Sequence, residues 1–312
     1  MKIIYYIITA IWNGISHLPM RVLYAISDVM FALMFHVVRY RRRMVRKNLT
    51  ESFPEKSINE IKDIERKFYH FFCDYLVETQ KGLTMSNDEV KKRMKFENPE
   101  IIDEALSSGH SVSLYLGHYC NWEWITSLPL HMKSDVVFGQ LYHPLQNKDF
   151  DDLMRRQRER YGAVSIPKND ILLYLRRWKK EGTKSCLGYI SDQAPKIGNI
   201  HHFTDFLNHK DTPVFTGAER LSRMFNDVVV YADVRCEKRG HYSCRFVKIS
   251  DDAGAEPLFS VTDRYMQMLE ETIRRAPQYW LWTHNRWKES RTRESFEKEY
   301  GPEESKRRLS RI

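Results

Sequence analysis

His118 and Glu123, separated by four residues, are the pair in this 312-residue chain whose types best suit proton transfer. An imidazole changes charge near neutrality and can take a proton from a hydroxyl or amine, while a carboxylate on its other nitrogen fixes the tautomer. Five helical steps of about 100° set two side chains about 140° apart, so the two would not share a helix face. The pair works only with His118 in a loop and Glu123 on the first turns of the helix that follows. His118 is then expected as general base and Glu123 as its orienter. Acyl transfer fits this chemistry without a covalent enzyme intermediate, provided that a donor meets the developing oxyanion. Asn121 or a helix amino terminus is a candidate donor. Cys120, inside the same segment, reads as a small buried filler rather than a nucleophile.

The elements around the pair must deliver it. Ser111 to Leu116 reads as a buried strand that places Gly117-His118 at its carboxyl end, a common location for chemistry in open α/β sheets. A helix from Glu100 to Ser108, stopped by Gly109, precedes it. Further strands are predicted at 136–140, 185–190, 228–235 and 242–249, the last two forming a hairpin around Lys238-Arg-Gly240. Helices are predicted at 149–161, 170–180 and from Asp263 to Arg275, where Pro277 ends the run. Upstream, Ser57 with Glu60 forms a capping box for a long amphipathic helix through Ile61, Ile64, Phe68, Phe71, Phe72 and Leu76. The alternation gives an α/β class, with a mixed central sheet flanked by helices.

Two apolar runs open the chain, Ile3 to Trp12 and Val22 to Val38, divided by Gly14 and Pro19. A spanning helix wants about 20 apolar residues, and Asp28 at mid-membrane would cost about 2.5 to 3.5 kcal/mol unless it finds a partner. The runs therefore either span or form a hairpin dipping into one leaflet, and a pair of core helices is the plain alternative. No small-x-small cleavage site follows the first run, so it is expected to stay uncleaved. The cationic run from Arg39 to Lys47 comes directly afterwards and places the rest of the chain on the cytoplasmic side. The division expected is an anchoring segment over 1–47, a catalytic domain over 48–288, and a polar tail over 289–312 that is a solvated helix or disordered.

A net charge of +9 favours contact with anionic surfaces. Basic and aromatic residues are not interleaved as a single-strand platform requires, which argues against nucleic acid. The five cysteines form no C-x-x-C pair and read as reduced thiols. His201, His202 and His209 lack a matching carboxylate pattern and read as loop histidines, so no metal and no cofactor is expected. Trp280, Trp282 and Trp287 read as core or headgroup-level packing.

An ordered set of motifs goes further. Arg46-Lys-Asn48, Ser52-Phe-Pro-Glu55, His118-x4-Glu123, Tyr142-His-Pro-Leu-Gln-Asn147, Arg158-Glu-Arg160-Tyr-Gly162, Ser191-Asp-Gln193 and Thr212-Pro-x-x-Thr216-Gly217 follow one another. Tyr279-Trp-x-Trp282-x-His284-x-Arg286-Trp-Lys288 closes the series. In this order they resemble the bacterial lipid A biosynthesis acyltransferases, the lauroyl and myristoyl transferases of the lysophospholipid acyltransferase superfamily. The resemblance implies an inner-membrane enzyme facing the cytoplasm. It would take a fatty acyl group from acyl carrier protein or acyl-CoA and add it to a hydroxyl of a phosphorylated glycolipid. It also implies that His118 and Glu123 are the catalytic pair and that Asp192 and Gln193 line the site.

One departure stands out. His143-Pro-Leu145 replaces the family's common Arg-Pro-Leu, which puts the phosphate contact or the usual acceptor in question. Arg158 or Arg160 could take over phosphate or oxyanion binding, since guanidinium grips such groups bidentately. An aminolipid, lipoamino acid or glycophospholipid acceptor is the alternative, and a non-catalytic membrane-binding protein is a third reading.

Overall fold

The computed structural model describes residues 12–133 and 136–311. The first apolar run lies outside them except for Trp12. The second forms helix α1 (Met20–Ala32), which continues as a π-helical stretch over Leu33–Val38 and stops where Arg39 turns into the left-handed region. Met20–Val38 is long and apolar enough to cross a membrane, with only 17% of its most apolar stretch buried. Its inner side packs on α3 (Ile58–Lys81), while Val22, Val29, Leu33, Val37 and Val38 face outward. Asp28 does find a partner: Arg239 meets it at 2.6 Å and also bonds Asp74 on α3. Helix α2 (Arg42–Ser52) carries much of the cationic run and sends Arg42 and Arg46 to the fully buried Glu65.

The capping box of α3 is present, with Ser57 N–H donating to Glu60 at 2.8 Å and the Ser57 hydroxyl accepting from the Glu60 amide. Such a cap satisfies two amides that a helix start otherwise leaves open. Short α4 (Asn87–Arg93), β1 (Met94–Phe96) and α5 (Glu100–Ser107) lead into β2 (Val112–Leu116). All five residues of β2 are buried, as expected of a parallel strand covered on both faces.

There follow β3 (Val137–Tyr142), α6 (Lys148–Glu159), β4 (Val164–Pro167), α7 (Ile171–Glu181) and β5 (Ser185–Ile190). The antiparallel pair β6 (Phe203–Phe206) and β7 (His209–Pro213) stands apart from the main sheet. After α8 (Gly217–Phe225), the long strands β8 (Val228–Lys238) and β9 (His241–Ser250) form the expected hairpin, and α9 (Ser260–Arg275) crosses back. The main sheet has the order β1-β9-β8-β2-β5-β3-β4. Every neighbouring pair is parallel except β8 with β9, so the sheet is mixed.

β2 lies at the centre between β5 and β8, and its partnership with β5 positions the site. Leu116 pairs with Ile190 at the carboxyl ends of the two strands, so the residues just beyond each strand emerge side by side. The polar tail contains α10 (Arg293–Leu309), kinked at Gly301 ahead of Pro302. Its Phe296 is buried against Ile200 and Phe203.

Candidate active site

The turn that leaves β2 is tightly held. A Cβ on Gly117 would meet Leu269 of α9 at 2.6 Å and the Asp192 carboxylate at 3.4 Å, so only glycine fits without displacing one of them. Cys120 sits at φ 52°, an uncommon conformation for a residue with a side chain. The closing motif fixes the turn from the other side. Leu281 N–H donates to the His118 carbonyl at 3.1 Å, and Cys120 N–H donates to the Tyr279 carbonyl at 3.0 Å. Asn48 in turn donates to the carbonyls of Trp282 and His284, both at 3.0 Å, tying the motif in α2 to the same frame.

His118 lies in the loop, as its spacing requires, and Glu123 lies near the start of a 3-10 helix over Trp122–His131. Their hydrogen bonds correct the sequence expectation. The ring of His118 is oriented by Asp192 and not by Glu123: Nδ1 stands 2.6 Å from Asp192 Oδ1. The His118 backbone N–H donates to Asp192 Oδ2 at 2.8 Å, and the Trp280 indole N–H donates to the same oxygen at 2.8 Å. An ionised carboxylate only accepts, so Nδ1 carries a proton, and in the neutral ring the free lone pair is then on Nε2. The Gln193 amide nitrogen is 3.5 Å from Nε2.

Burial alone would raise the Asp192 pKa. The charge of His118, its two N–H contacts and the Trp280 donor outweigh that effect and hold it at about 2. The acidic partner is therefore a carboxylate throughout the neutral range.

Glu123 belongs to Arg158. Arg158 Nε and Nη2 grip its two oxygens at 2.8 and 2.7 Å, a bidentate fork. Burial works against the Arg158 cation, but the paired carboxylate prevails and holds its pKa above the ordinary arginine range. The fork leaves Arg158 Nη1 without a protein hydrogen bond among the described residues.

The remaining expected site residues separate clearly. Asn121 is not free to meet an oxyanion, because its amide nitrogen donates to Glu78 and its oxygen accepts from the Trp124 N–H. Arg160 is exposed and donates to the Leu83 carbonyl, away from the histidine. His143 is exposed at the rim of the cavity described below. His202 bonds Asp263, His201 bonds the Arg308 carbonyl and His209 stacks on Trp287 at 3.9 Å. Cys120 is fully buried, and burial lifts its thiol well above the ordinary range, so it stays protonated.

His118, Glu123, Arg158 and His143 all open onto one cavity of about 560 Å³. Its walls are mostly apolar, including Leu76, Leu114, Leu116, Phe138, Leu141 and Met154. An apolar pocket that carries a few polar groups is the usual design of a site for a small apolar ligand. Beside His118, Trp122 meets the imidazole edge-on at 5.1 Å and stacks on Tyr75 at 4.1 Å. The role of Trp280 was not legible in the sequence, where it read as packing. Only its neighbourhood to the strand-end carboxylate reveals it.

A histidine hydrogen-bonded to a buried carboxylate, at the carboxyl end of a central strand and facing an apolar cavity, is an arrangement that can support base-assisted transfer to or from an apolar substrate. The family model described as bacterial lipid A biosynthesis acyltransferase matches residues 1–289, and the chain belongs to that family. It is accordingly an acyltransferase, with an acyl donor and a lipid acceptor. No protein of curated function matches it.

Proposed function

We propose that this acyltransferase moves a fatty acyl chain from a thioester, acyl carrier protein or acyl-CoA, to a hydroxyl of a lipid A precursor, with His118 as general base. The observation that carries the reading is the His118–Asp192 pair facing the apolar cavity. The acyl chain occupies the cavity and the thioester carbonyl lies near His118 Nε2. The acceptor hydroxyl gives its proton to Nε2 as its oxygen attacks the carbonyl carbon. Asp192 stabilises the imidazolium, the carbon–sulfur bond breaks, and the departing thiolate takes the proton back. Gln193 and the unengaged Nη1 of Arg158 are the donors proposed for the oxyanion or for an acceptor phosphate. Glu123 then acts by holding Arg158, not by touching His118.

Seating on a membrane is supported by α1. One flank bonds to α3 through Ser27 with Asp74 and Tyr24 with Glu78, which favours α1 lying along the membrane surface over crossing it. The outward apolar flank ends at Arg39, Arg41 and Arg43, and Arg42, Arg46, Lys62 and Arg66 line a shallow cavity beside Phe35. An apolar stripe bordered by cations suits the headgroup boundary of an anionic leaflet. We place α1 there, in the inner membrane with the active site on the cytoplasmic side.

His143 at the cavity rim favours a second reading, in which the acceptor is an aminolipid, a lipoamino acid or a glycophospholipid. Lipid mass spectrometry of cells with and without the gene separates the two. A lipid A lighter by one acyl chain supports the first, whereas an unchanged lipid A with a missing acylated aminolipid or glycophospholipid supports the second.

A further inference from the structure

Glu78 on α3 is fully buried, and among the described residues it pairs with no cation. Its carboxylate instead receives three hydrogen bonds from three different parts of the fold. Oε1 accepts from the Tyr24 hydroxyl of α1 at 2.9 Å. Oε2 accepts from the Asn121 amide at 2.8 Å and from the Tyr242 hydroxyl of β9 at 2.8 Å. Asn121 is the last residue of the turn that carries His118, and its own oxygen caps the 3-10 helix that carries Glu123. One carboxylate therefore joins the outward-facing helix, the catalytic turn and the sheet.

We propose that Glu78 is a positioning residue that couples helix α1 to the turn bearing His118 and Glu123, so that the seating of α1 is felt at the reacting atoms. The proposal rests on the reading of His118 as the base. A buried carboxylate with three donors converging on it is rigid only while all three are made, because each bond lost leaves a desolvated group without a partner. Displacing α1 withdraws Tyr24, and the strain passes through the shared carboxylate to Asn121.

The electrostatic setting supports a group poised to respond. Burial raises Glu78 to about 7, resisted by its donors and reinforced by the charge of Asp74 one helical turn away. The other groups facing it are Tyr24 of α1 with Arg93 of α4 nearby, Cys120 and Asn121 of the turn, Cys236 of β8 and Tyr242 of β9. Three of the roughly four lone-pair sites of the carboxylate accept these bonds, so a proton taken up goes to the remaining site on Oε1 and adds a donor beside the Tyr24 hydroxyl.

The test uses hydrogen exchange of the full-length protein in mild detergent, read over residues 117–124. Tyr24→Phe removes one hydroxyl far along the chain from that segment. It is expected to raise exchange there about fivefold, the factor for one lost hydrogen bond. Glu78→Gln is expected to do the same. Tyr231→Phe, which removes a buried hydroxyl bonded to Thr272 on α9, is the control and should leave residues 117–124 unchanged. Unchanged exchange in Tyr24→Phe, or an equal rise in Tyr231→Phe, overturns the coupling. Exchange does not depend on turnover, so absence of acyl transfer in the wild type would remove the reading of His118 while leaving the exchange result to decide the coupling.

Discussion

His118 and Asp192 meet at 2.6 Å although 74 positions separate them, because each lies two residues beyond the Leu116–Ile190 pair that ends β2 and β5. The contact is a product of sheet register. Asp192→Asn keeps the shape but presents a neutral amide to the imidazole. Acyl transfer is expected to fall by about 10² to 10⁴, the usual range for losing general-base assistance, and the fold to lose about 2 kcal/mol at neutral pH, the stability marked by the depressed pKa of Asp192. Single-turnover rates set beside thermal unfolding check this, and a rate within twofold of wild type would refute it.

The Glu123–Arg158 fork predicts a different pattern. Glu123→Met leaves a largely buried guanidinium without its partner and should destabilise by about 3 kcal/mol, while Glu123→Met with Arg158→Met should recover most of that loss. Denaturant unfolding of both singles and the double gives the coupling directly. Additive losses would mean that the fork contributes nothing.

Gly188 of β5 lines the cavity, and a Cβ there would find its nearest neighbours, Gly139 O and Leu116 Cδ2, at 3.6 and 3.7 Å. Gly188→Val is therefore expected to fold and to narrow the cavity. Donor preference should move to a shorter acyl chain, each excluded methylene forfeiting about 0.8 kcal/mol of burial. Competition between acyl donors of different length measures the shift.

Glu78 gives a stability signature with a definite sign. Its pKa in the fold, about 7, lies above the ordinary 4.5, so the folded chain holds this proton more tightly than the unfolded one. The stability it contributes is complete below about pH 4.5 and is lost as the pH rises to about 7, some 3 kcal/mol in all. Glu78→Gln lacks that dependence and should gain on the wild type across this interval. Asp227, raised to about 6 by burial, acts in both proteins and cancels in the difference. Urea unfolding at stepped pH reads it.

The local parts of this picture were legible in the sequence. The expected strand at 185–190 coincides with β5, and Gly117-His118 follows β2 as its pattern requires. The capping box and the β8–β9 hairpin carry their own short-range signals. Short β4 ends in Pro167, and β7 begins with the polar His209-Lys-Asp, so neither shows alternation over enough residues to read as a strand. The tail looked solvated because a single aromatic, Phe296, makes its main buried contact. Nearness along the chain points to Glu123 as the carboxylate beside His118, whereas strand order brings Asp192 there and leaves Glu123 to Arg158. Strand order has no local signature.

The most direct measurement is transfer of labelled acyl chains from acyl carrier protein to a lipid A precursor by membranes carrying the wild type or His118→Ala. The account predicts a labelled, acylated lipid with the wild type and a loss of at least about 10² in rate with the variant at equal protein level. Undiminished transfer by His118→Ala would contradict it.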